Sequence, residues 1–220
     1  RRTTTTNPSA GAPSRAALAS RNGGAGAAFD PAAAARGTLL HRLFELLPDV
    51  EPAGRAAAAD SYLARLLPDL SEAGRTTLVE SIVALMARPD LMLLFSPAAR
   101  AEAAIVGSVT TAGGQSISIS GNVDRLLVEP GAVTIVDYKT AAHPPRSVPQ
   151  KYVLQLALYR AVLRRLWPDR PVRAAVLWTA TARFDEVAED VMDATLAAYL
   201  EDVDAGTEPL DHKIEIDDRP

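Results

Sequence analysis

Two carboxylates and a lysine lie on neighbouring stretches of this chain, separated by a turn. Residues with strand character flank Glu129-Pro130-Gly131, a combination typical of a turn, so the sequence predicts a β-hairpin. A loop of either two or four residues places Asp124 directly opposite Asp137, with Cβ atoms about 4.5–5.5 Å apart. Lys139 shares the face of Asp137 because side chains alternate along a strand. The sequence therefore predicts three charged groups aimed at one point.

The opposed acids Asp124 and Asp137 indicate a bound cation. Like charges placed directly opposite each other destabilise a bare hairpin. Carboxylate oxygens are hard ligands that suit Mg²⁺ or Mn²⁺. The ordinary alternative is a pair of surface ion pairs, Asp124 with Arg125 or a nearby arginine and Asp137 with Lys139, which would contribute little to stability. Two acids and one lysine do not balance, and this favours the metal.

This constellation resembles the PD-(D/E)XK nuclease superfamily, in its RecB-like branch. That branch has an acid at the end of one strand and Asp/Glu-x-Lys on the next, which Asp124 and Asp137-Tyr138-Lys139 match. The order and spacing of the matches are most similar to the C-terminal nuclease domain of bacterial AddA helicase-nucleases. Further matches are a helix with a histidine at Gly37-Thr38-Leu39-Leu40-His41, an acid at Glu102, and a Q-x-x-x-Y helix at Gln155-Leu156-Ala157-Leu158-Tyr159.

The resemblance implies a role for each matching residue. One or two Mg²⁺ or Mn²⁺ ions would be held by His41, Asp124, Asp137 and the backbone carbonyl of Tyr138, with Glu102 as a possible outer ligand. Lys139 would position the attacking water or help to deprotonate it. The remaining predicted catalytic residues, which would orient substrate phosphate or Lys139, are Gln155 and Tyr159.

The resemblance also implies an activity and partners. We expect a Mg²⁺- or Mn²⁺-dependent deoxyribonuclease, an exonuclease fused to an ATP-dependent helicase in a longer polypeptide. It would work in the bacterial cytoplasm with an AddB-like partner subunit. Its substrates would be DNA double-strand ends and single strands, which it would process for recombinational repair. The chain does not begin with Met, in keeping with a piece of a larger protein.

Less specific interpretations stay open for the same residues. A lone histidine near an apolar helix stripe, as His41 is, belongs more often to a core, and Gln155 and Tyr159 are ordinary on an amphipathic helix. Glu102 resembles a solvated residue at a strand end. One alternative function is a catalytically silent nuclease-fold module that binds DNA or acts as a scaffold, although the expected broken motif is intact here. Another is an unrelated metal-binding structural domain, favoured if His41 and Glu102 were remote from the hairpin.

Composition excludes several classes of site. The chain has no cysteine, which rules out disulfides, thiolate metal sites and the iron–sulfur cluster that some RecB-like relatives carry. No apolar run approaches the roughly 20 residues of a membrane span. The net charge of −4 is unusual for a protein that grips DNA. Five arginines form either a solvated helix end or a DNA track: Arg160, Arg164, Arg165, Arg170 and Arg173.

The pattern of the whole chain predicts an α/β fold, a mixed central sheet flanked by helices with a helical N-terminal preface. Residues 1–29 are expected to be a flexible linker or arm, 30–203 the nuclease domain, and 204–220 a loose acidic tail with a short edge strand at 213–216. Predicted helices cover 30–47, 56–67, 71–87, 148–166 and 189–203. Predicted strands cover 102–110, 115–128, 132–140 and 172–179.

Overall fold

A mixed β-sheet with helices on both faces organises the molecule, as the sequence predicts. The computed structural model describes residues 31–206 and 213–216, with side chains for 37–206. The described helices are α1 (Pro31–Leu46), α2 (Arg55–Leu66), α3 (Glu72–Met86), α4 (Gln150–Leu166) and α5 (Glu189–Asp204), with 3-10 turns at Leu47–Asp49 and Pro52–Gly54. The described strands are β1 (Ala99–Thr110), β2 (Ser116–Val128), β3 (Val133–Lys139), β4 (Val172–Trp178), β5 (Arg183–Val187) and β6 (Lys213–Ile216).

The predicted hairpin is formed by β2 and β3. Four residues connect the strands, and the turn is closed by the Glu129 N–H donating to the Ala132 carbonyl. The antiparallel register runs from Val128↔Val133 to Arg125↔Val136. One further step of the same register places Asp124 opposite Asp137, as predicted, but the two strands no longer pair there. The sheet therefore forks at the acid pair.

The remaining strands extend the sheet on both sides of the hairpin. The order is β1-β2-β3-β4-β5, with β1 antiparallel to β2 and β4 parallel to β3 across the α4 connection. The short polar strand β5, which the sequence did not predict, is antiparallel to β4. The predicted strand at 213–216 is confirmed as β6, and it runs parallel to Ser118–Gly121 of β2.

The helices largely agree with prediction. Ser71 caps α3 by accepting a hydrogen bond from the Gly74 N–H, as expected from its position before the apolar pattern. The predicted cap Asp30 and the predicted arm 1–29 lie outside the described residues. Asp204 is not part of a loose tail: it ends α5 and accepts hydrogen bonds from the Thr111 hydroxyl and the Gly113 N–H. No described helix has the length and apolar character to cross a bilayer.

Each face of the sheet covers its own apolar core. One core lies between the sheet and α4 and α5, and includes Ile135 and Leu156. The other lies between the sheet and the helices α1–α3, and includes Phe44 and Val136. Because side chains alternate along β3, the residues Asp137 and Lys139 share the face of Ile135, towards α4.

Strands β1 and β2 invert their faces at the same rung. In β2, Leu127 packs in the core under α1–α3, whereas Val123, four residues earlier, packs in the α4 core. Ala99 and Ile105 of β1 show the same change, although both positions are odd and should share a face in a regular strand. Between these positions Glu102 has a φ of 47°, a left-handed conformation that is strained for a residue with a Cβ. The inversion occurs where the sheet forks.

Candidate active site and metal centre

Asp124 lies in the fork between β2 and β3. Its Oδ2 accepts a hydrogen bond from the Tyr138 backbone N–H, which no main-chain acceptor of β2 reaches at this point. Its Oδ1 lies 3.0 Å from Nδ1 of His41 on α1. The carboxylate is therefore held between the hairpin and the first helix, at the position that the sequence predicted for a metal ligand.

Arg125 fixes the helix that carries His41. It follows Asp124 and points into the core under α1, where it is only 2% exposed. Its guanidinium donates to the carbonyl of Phe44 in the last turn of α1, to the Ala99 carbonyl at 3.4 Å and to the Tyr138 hydroxyl at 3.2 Å. Carbonyls at a helix C-terminus lack intrahelical partners and favour a cation. The alternative of a surface ion pair between Asp124 and Arg125 is therefore wrong.

Glu102 joins His41 and Asp124. These three residues each offer a ligand atom, and the three atoms lie within 4.8 Å of one another. Glu102 lies inside β1, not at a strand end as predicted, and the register of β1 with β2 places it opposite Asp124. The interpretation that required His41 and Glu102 to be remote from the hairpin is therefore wrong. The separate role of Glu102 as an outer ligand stays a prediction.

Asp137 and Lys139 form a buried pair beside this group. Oδ2 of Asp137 lies 2.9 Å from Nζ of Lys139, and Oδ1 accepts a hydrogen bond of 3.4 Å from Nε2 of Gln155. Both members of the ion pair are buried, so the alternative of a solvated surface pair is wrong. The ordinary partner of Oδ2 is therefore the ammonium of Lys139, which reaches it across the ion pair.

In the metal-free site, the pKa values of Asp137 and His41 are both raised, which favours their protonated forms. Burial raises the pKa of Asp137 to about 6, with Lys139 opposing the rise and the charge of Asp124 adding to it. Burial lowers the pKa of His41, but the hydrogen bond and charge of Asp124, together with the charge of Asp137, outweigh it, and the net pKa is raised. Where neighbouring negative charge helps a group to hold a proton, a bound cation would displace that proton.

The Q-x-x-x-Y motif lies on α4 and contacts the site through Gln155. Gln155 contacts Asp137, the ion-pair partner of Lys139. Tyr159 is fully buried in the α4 core, and burial raises its pKa to about 12. Its hydroxyl forms no hydrogen bond within the described part of the chain. The role of Tyr159 in orienting substrate phosphate or Lys139 stays a prediction.

The arginine group does not form a track at this site. Arg160 is buried and donates to Glu189 at 2.8 Å, to Asp193 at 2.6 Å and to the Val172 carbonyl at 3.0 Å, so both predictions for it are wrong. Arg170 donates to the Glu129 carbonyl. These contacts lie near the start of β4, whereas Asp137 is near the end of β3, which is parallel to it.

Two aromatic residues near Lys139 were missed as parts of the site. The Lys139 ammonium lies 4.3 Å from the centroid of the Tyr152 ring, and Tyr152 packs edge-to-face against Trp178 at 6.3 Å. The available signal was spacing: Tyr152 precedes Gln155 by three residues on α4, and such residues share a helix face.

The residues present fit a divalent cation. His41, Glu102 and Asp124 supply an imidazole and two carboxylates around one point, and the buried carboxylate of Asp137 is close enough to interact electrostatically with His41 and Asp124. Carboxylate oxygens with one neutral imidazole suit Mn²⁺ and tolerate Mg²⁺. Of the predicted ligands, His41 and Asp124 are brought together around the fork, whereas Asp137 is not among the residues whose ligand atoms converge. The contributions of Asp137 and of the Tyr138 carbonyl stay predictions.

Comparisons with known proteins give one informative match. A family model described as the PD-(D/E)XK nuclease superfamily matches residues 13–217. A solved structure titled "Crystal structure of SSO0001" is 14% identical, with 78% of this chain and 86% of that chain covered and a TM-score of 0.38. No protein with curated annotation matches the chain.

Proposed function

Because this chain belongs to the PD-(D/E)XK nuclease superfamily, we propose that it hydrolyses phosphodiester bonds of DNA with a divalent ion held by His41, Asp124 and Asp137. The observation that supports this most is the buried Asp137–Lys139 pair directly beside Asp124 and His41. Phosphodiester hydrolysis requires acids that can bind a metal and a lysine close to them. Burying the charged Asp137 and Lys139 costs free energy, and such buried charged groups are concentrated at functional sites.

The chemistry of each residue follows from its environment. A Mg²⁺ or Mn²⁺ ion held by these residues would supply the Lewis acidity that activates water and screens phosphate charge. Asp124, fixed by the Tyr138 N–H, and Asp137, fixed by Gln155, hold their carboxylates in one place without reorganisation. Lys139 carries a positive charge at the point where the phosphate gains negative charge, and it can orient the attacking water.

The finer assignment is to the RecB-like branch, as the nuclease part of an AddAB-type helicase-nuclease. Three features support it: the histidine of α1 lies against Asp124, the Q-x-x-x-Y helix follows the catalytic lysine, and Gln155 of that helix touches Asp137. In this assignment the protein acts as an exonuclease on double-strand ends in the bacterial cytoplasm. A helicase segment and an AddB-like subunit deliver the DNA, in keeping with the acidic net charge of this chain.

The test is cleavage of end-labelled linear and single-stranded DNA by the purified protein with Mg²⁺, Mn²⁺ or chelator. Asp137→Ala should abolish cleavage, and Lys139→Ala should abolish cleavage while calorimetry still detects metal binding. Asp60→Ala is the matched control, because it removes a carboxylate that lies 2.6 Å from Arg75 on the remote helices α2 and α3.

The outcomes separate the parts of the proposal. Cleavage that needs metal and is lost only in the two site variants supports the nuclease. Cleavage retained in Asp137→Ala would contradict the assigned site. Binding of neither metal would contradict the nuclease function itself. Release of mononucleotides from DNA ends supports the exonuclease, whereas nicking of closed circles contradicts it.

A further inference from the structure

The ammonium of Lys139 is held by two groups from different elements. On β3, Oδ2 of Asp137 lies 2.9 Å from Nζ, and on α4 the ring centroid of Tyr152 lies 4.3 Å from the same atom. Lysine carries a compact charge on a flexible four-carbon stem, so its position depends on its partners. The face of an aromatic ring attracts a cation, and the attraction grows when the pair is removed from water.

The Tyr152 ring is itself fixed from behind. It packs edge-to-face on Trp178, with centroids 6.3 Å apart and an angle of 62°. Trp178 lies on β4 in register with Lys139, is buried, and donates its indole N–H to Asp185 at 2.7 Å. The ring is thus supported by Trp178 of β4, whose indole is held in turn by Asp185 of β5. A rigid partner of this kind can hold a lysine in one geometry.

The contact is separate from the metal ligands. Tyr152 is not among the residues whose ligand atoms converge, and it precedes Gln155, the residue that touches Asp137, by three positions. Lys151, exposed on the same helix, also lies over the ring, with Nζ 4.6 Å from the centroid. An experiment on Tyr152 must therefore follow the two lysines separately.

We infer that Tyr152 is a positioning residue for Lys139: its ring, supported by Trp178, holds the ammonium against Asp137 in the geometry that cleavage requires. This inference rests on the proposed nuclease function for its effect on rate. The contact itself does not depend on that function and can be measured without it.

The test compares two substitutions of Tyr152 with a matched control. Tyr152→Phe keeps the ring, and Tyr152→Leu removes it. Tyr62→Leu is the control, because Tyr62 is also a half-buried tyrosine with a cation over its ring, Arg65 at 5.6 Å, but it lies on α2. For each protein, kcat and KM are measured on linear DNA, metal binding is measured by calorimetry, and folding is checked by urea unfolding. The reactivity of each lysine is measured by reductive methylation of the metal-free protein followed by peptide mapping.

Tyr152→Leu is expected to lower kcat by about tenfold or more, with KM and metal affinity within about threefold. Its Lys139 should be methylated at least about fivefold faster, while the exposed Lys151 changes less than about twofold. Tyr152→Phe and Tyr62→Leu should both stay within about threefold of wild type in kcat. The first variant keeps the aromatic ring beside Lys139, and the second changes a residue that lies away from Lys139.

Three results would overturn the inference. They are an unchanged rate of Lys139 methylation in Tyr152→Leu, a kcat of that variant within about twofold of an active wild type, and a loss in Tyr152→Phe as large as in Tyr152→Leu. If the wild-type protein does not cleave DNA, the proposed function fails. The methylation of Lys139 then still decides whether Tyr152 positions the lysine.

Discussion

The metal-free protein should become more stable as the pH falls from neutral to mildly acidic values. The reason is the buried carboxyl of Asp137, whose pKa is raised from 3.8 to about 6. Between these two values the folded protein binds more protons than the unfolded chain. Stability must then fall as the pH rises through this window, and the full cost is present above about pH 6. This direction is opposite to that of a carboxylate in a stabilising surface ion pair.

The size of the effect follows from the same two pKa values. One pKa unit corresponds to about 1.4 kcal/mol, so the complete window from 3.8 to about 6 is worth roughly 3 kcal/mol. Between about pH 5 and pH 7.5, the free energy of unfolding should fall by about 1.4 kcal/mol because of Asp137. His41 adds to it, because a raised histidine pKa contributes stability below 6.5 that is lost as the pH rises through the folded value.

Urea unfolding at several pH values with chelator measures the effect. For the expected difference, the midpoint should be about 0.5–1 M higher at about pH 5 than at about pH 7.5. Asp137→Asn removes the titrating carboxyl and should flatten most of this dependence. Saturating Mg²⁺ or Mn²⁺ should reverse it, because the ligands must lose their protons to bind the ion. A metal-free protein that is equally or more stable at about pH 7.5 would refute the reasoning, as would an unchanged slope in Asp137→Asn.

Substitutions at three further positions, Arg125, Gly107 and Glu102, are tested by urea unfolding in chelator. Arg125→Lys cannot reach all the acceptors that the guanidinium holds, and it should cost about 1–3 kcal/mol and weaken metal binding measured by calorimetry. Gly107→Ala places a Cβ 2.6 Å from Cγ1 of Val162 and should cost about 1–3 kcal/mol, with Gly131→Ala, whose Cβ meets nothing within 4 Å, as its neutral control. At Glu102, where φ is 47°, Gly should be more stable than Ala by about 1 kcal/mol, the reverse of the usual order in a strand, and equal stability would show that the position carries no strain.

The hairpin and its charged residues could be predicted because the signals are local. A turn of Glu129-Pro130-Gly131 between two strands limits the register, and either plausible loop length leads to the same pairing of Asp124 with Asp137. The place of Lys139 follows from the alternation of a single strand. The family model that matches residues 13–217 agrees with the resemblance that these residues carry, at the level of the superfamily.

Long-range contacts could not be predicted from the same sequence. The burial of Tyr159 and Arg160 depends on which face of α4 meets the sheet and on where α5 packs, and the helix pattern alone does not distinguish a buried polar residue from a solvated one. Strand β5 has the sequence Arg-Phe-Asp-Glu-Val, and only its pairing with β4 makes it a strand. Tyr152 lies on α4 and Lys139 ends β3, and a loop connects the two elements. The spacing could therefore indicate that Tyr152 and Gln155 share a helix face, but not that Lys139 contacts Tyr152.

The site exists because the sheet is irregular at one rung. In a regular sheet, a ligand on the α4 face could not meet His41, which comes from a helix on the other face. Here β2 pairs with β3 only from Arg125 onward, and the faces of β1 and β2 invert at Glu102 and Asp124. The carboxylate of Asp124 in this opening meets His41 from one side and lies next to Asp137 on the other. The strained backbone of Glu102 thus lies at the opening where ligand atoms of His41, Glu102 and Asp124 come within 4.8 Å of one another.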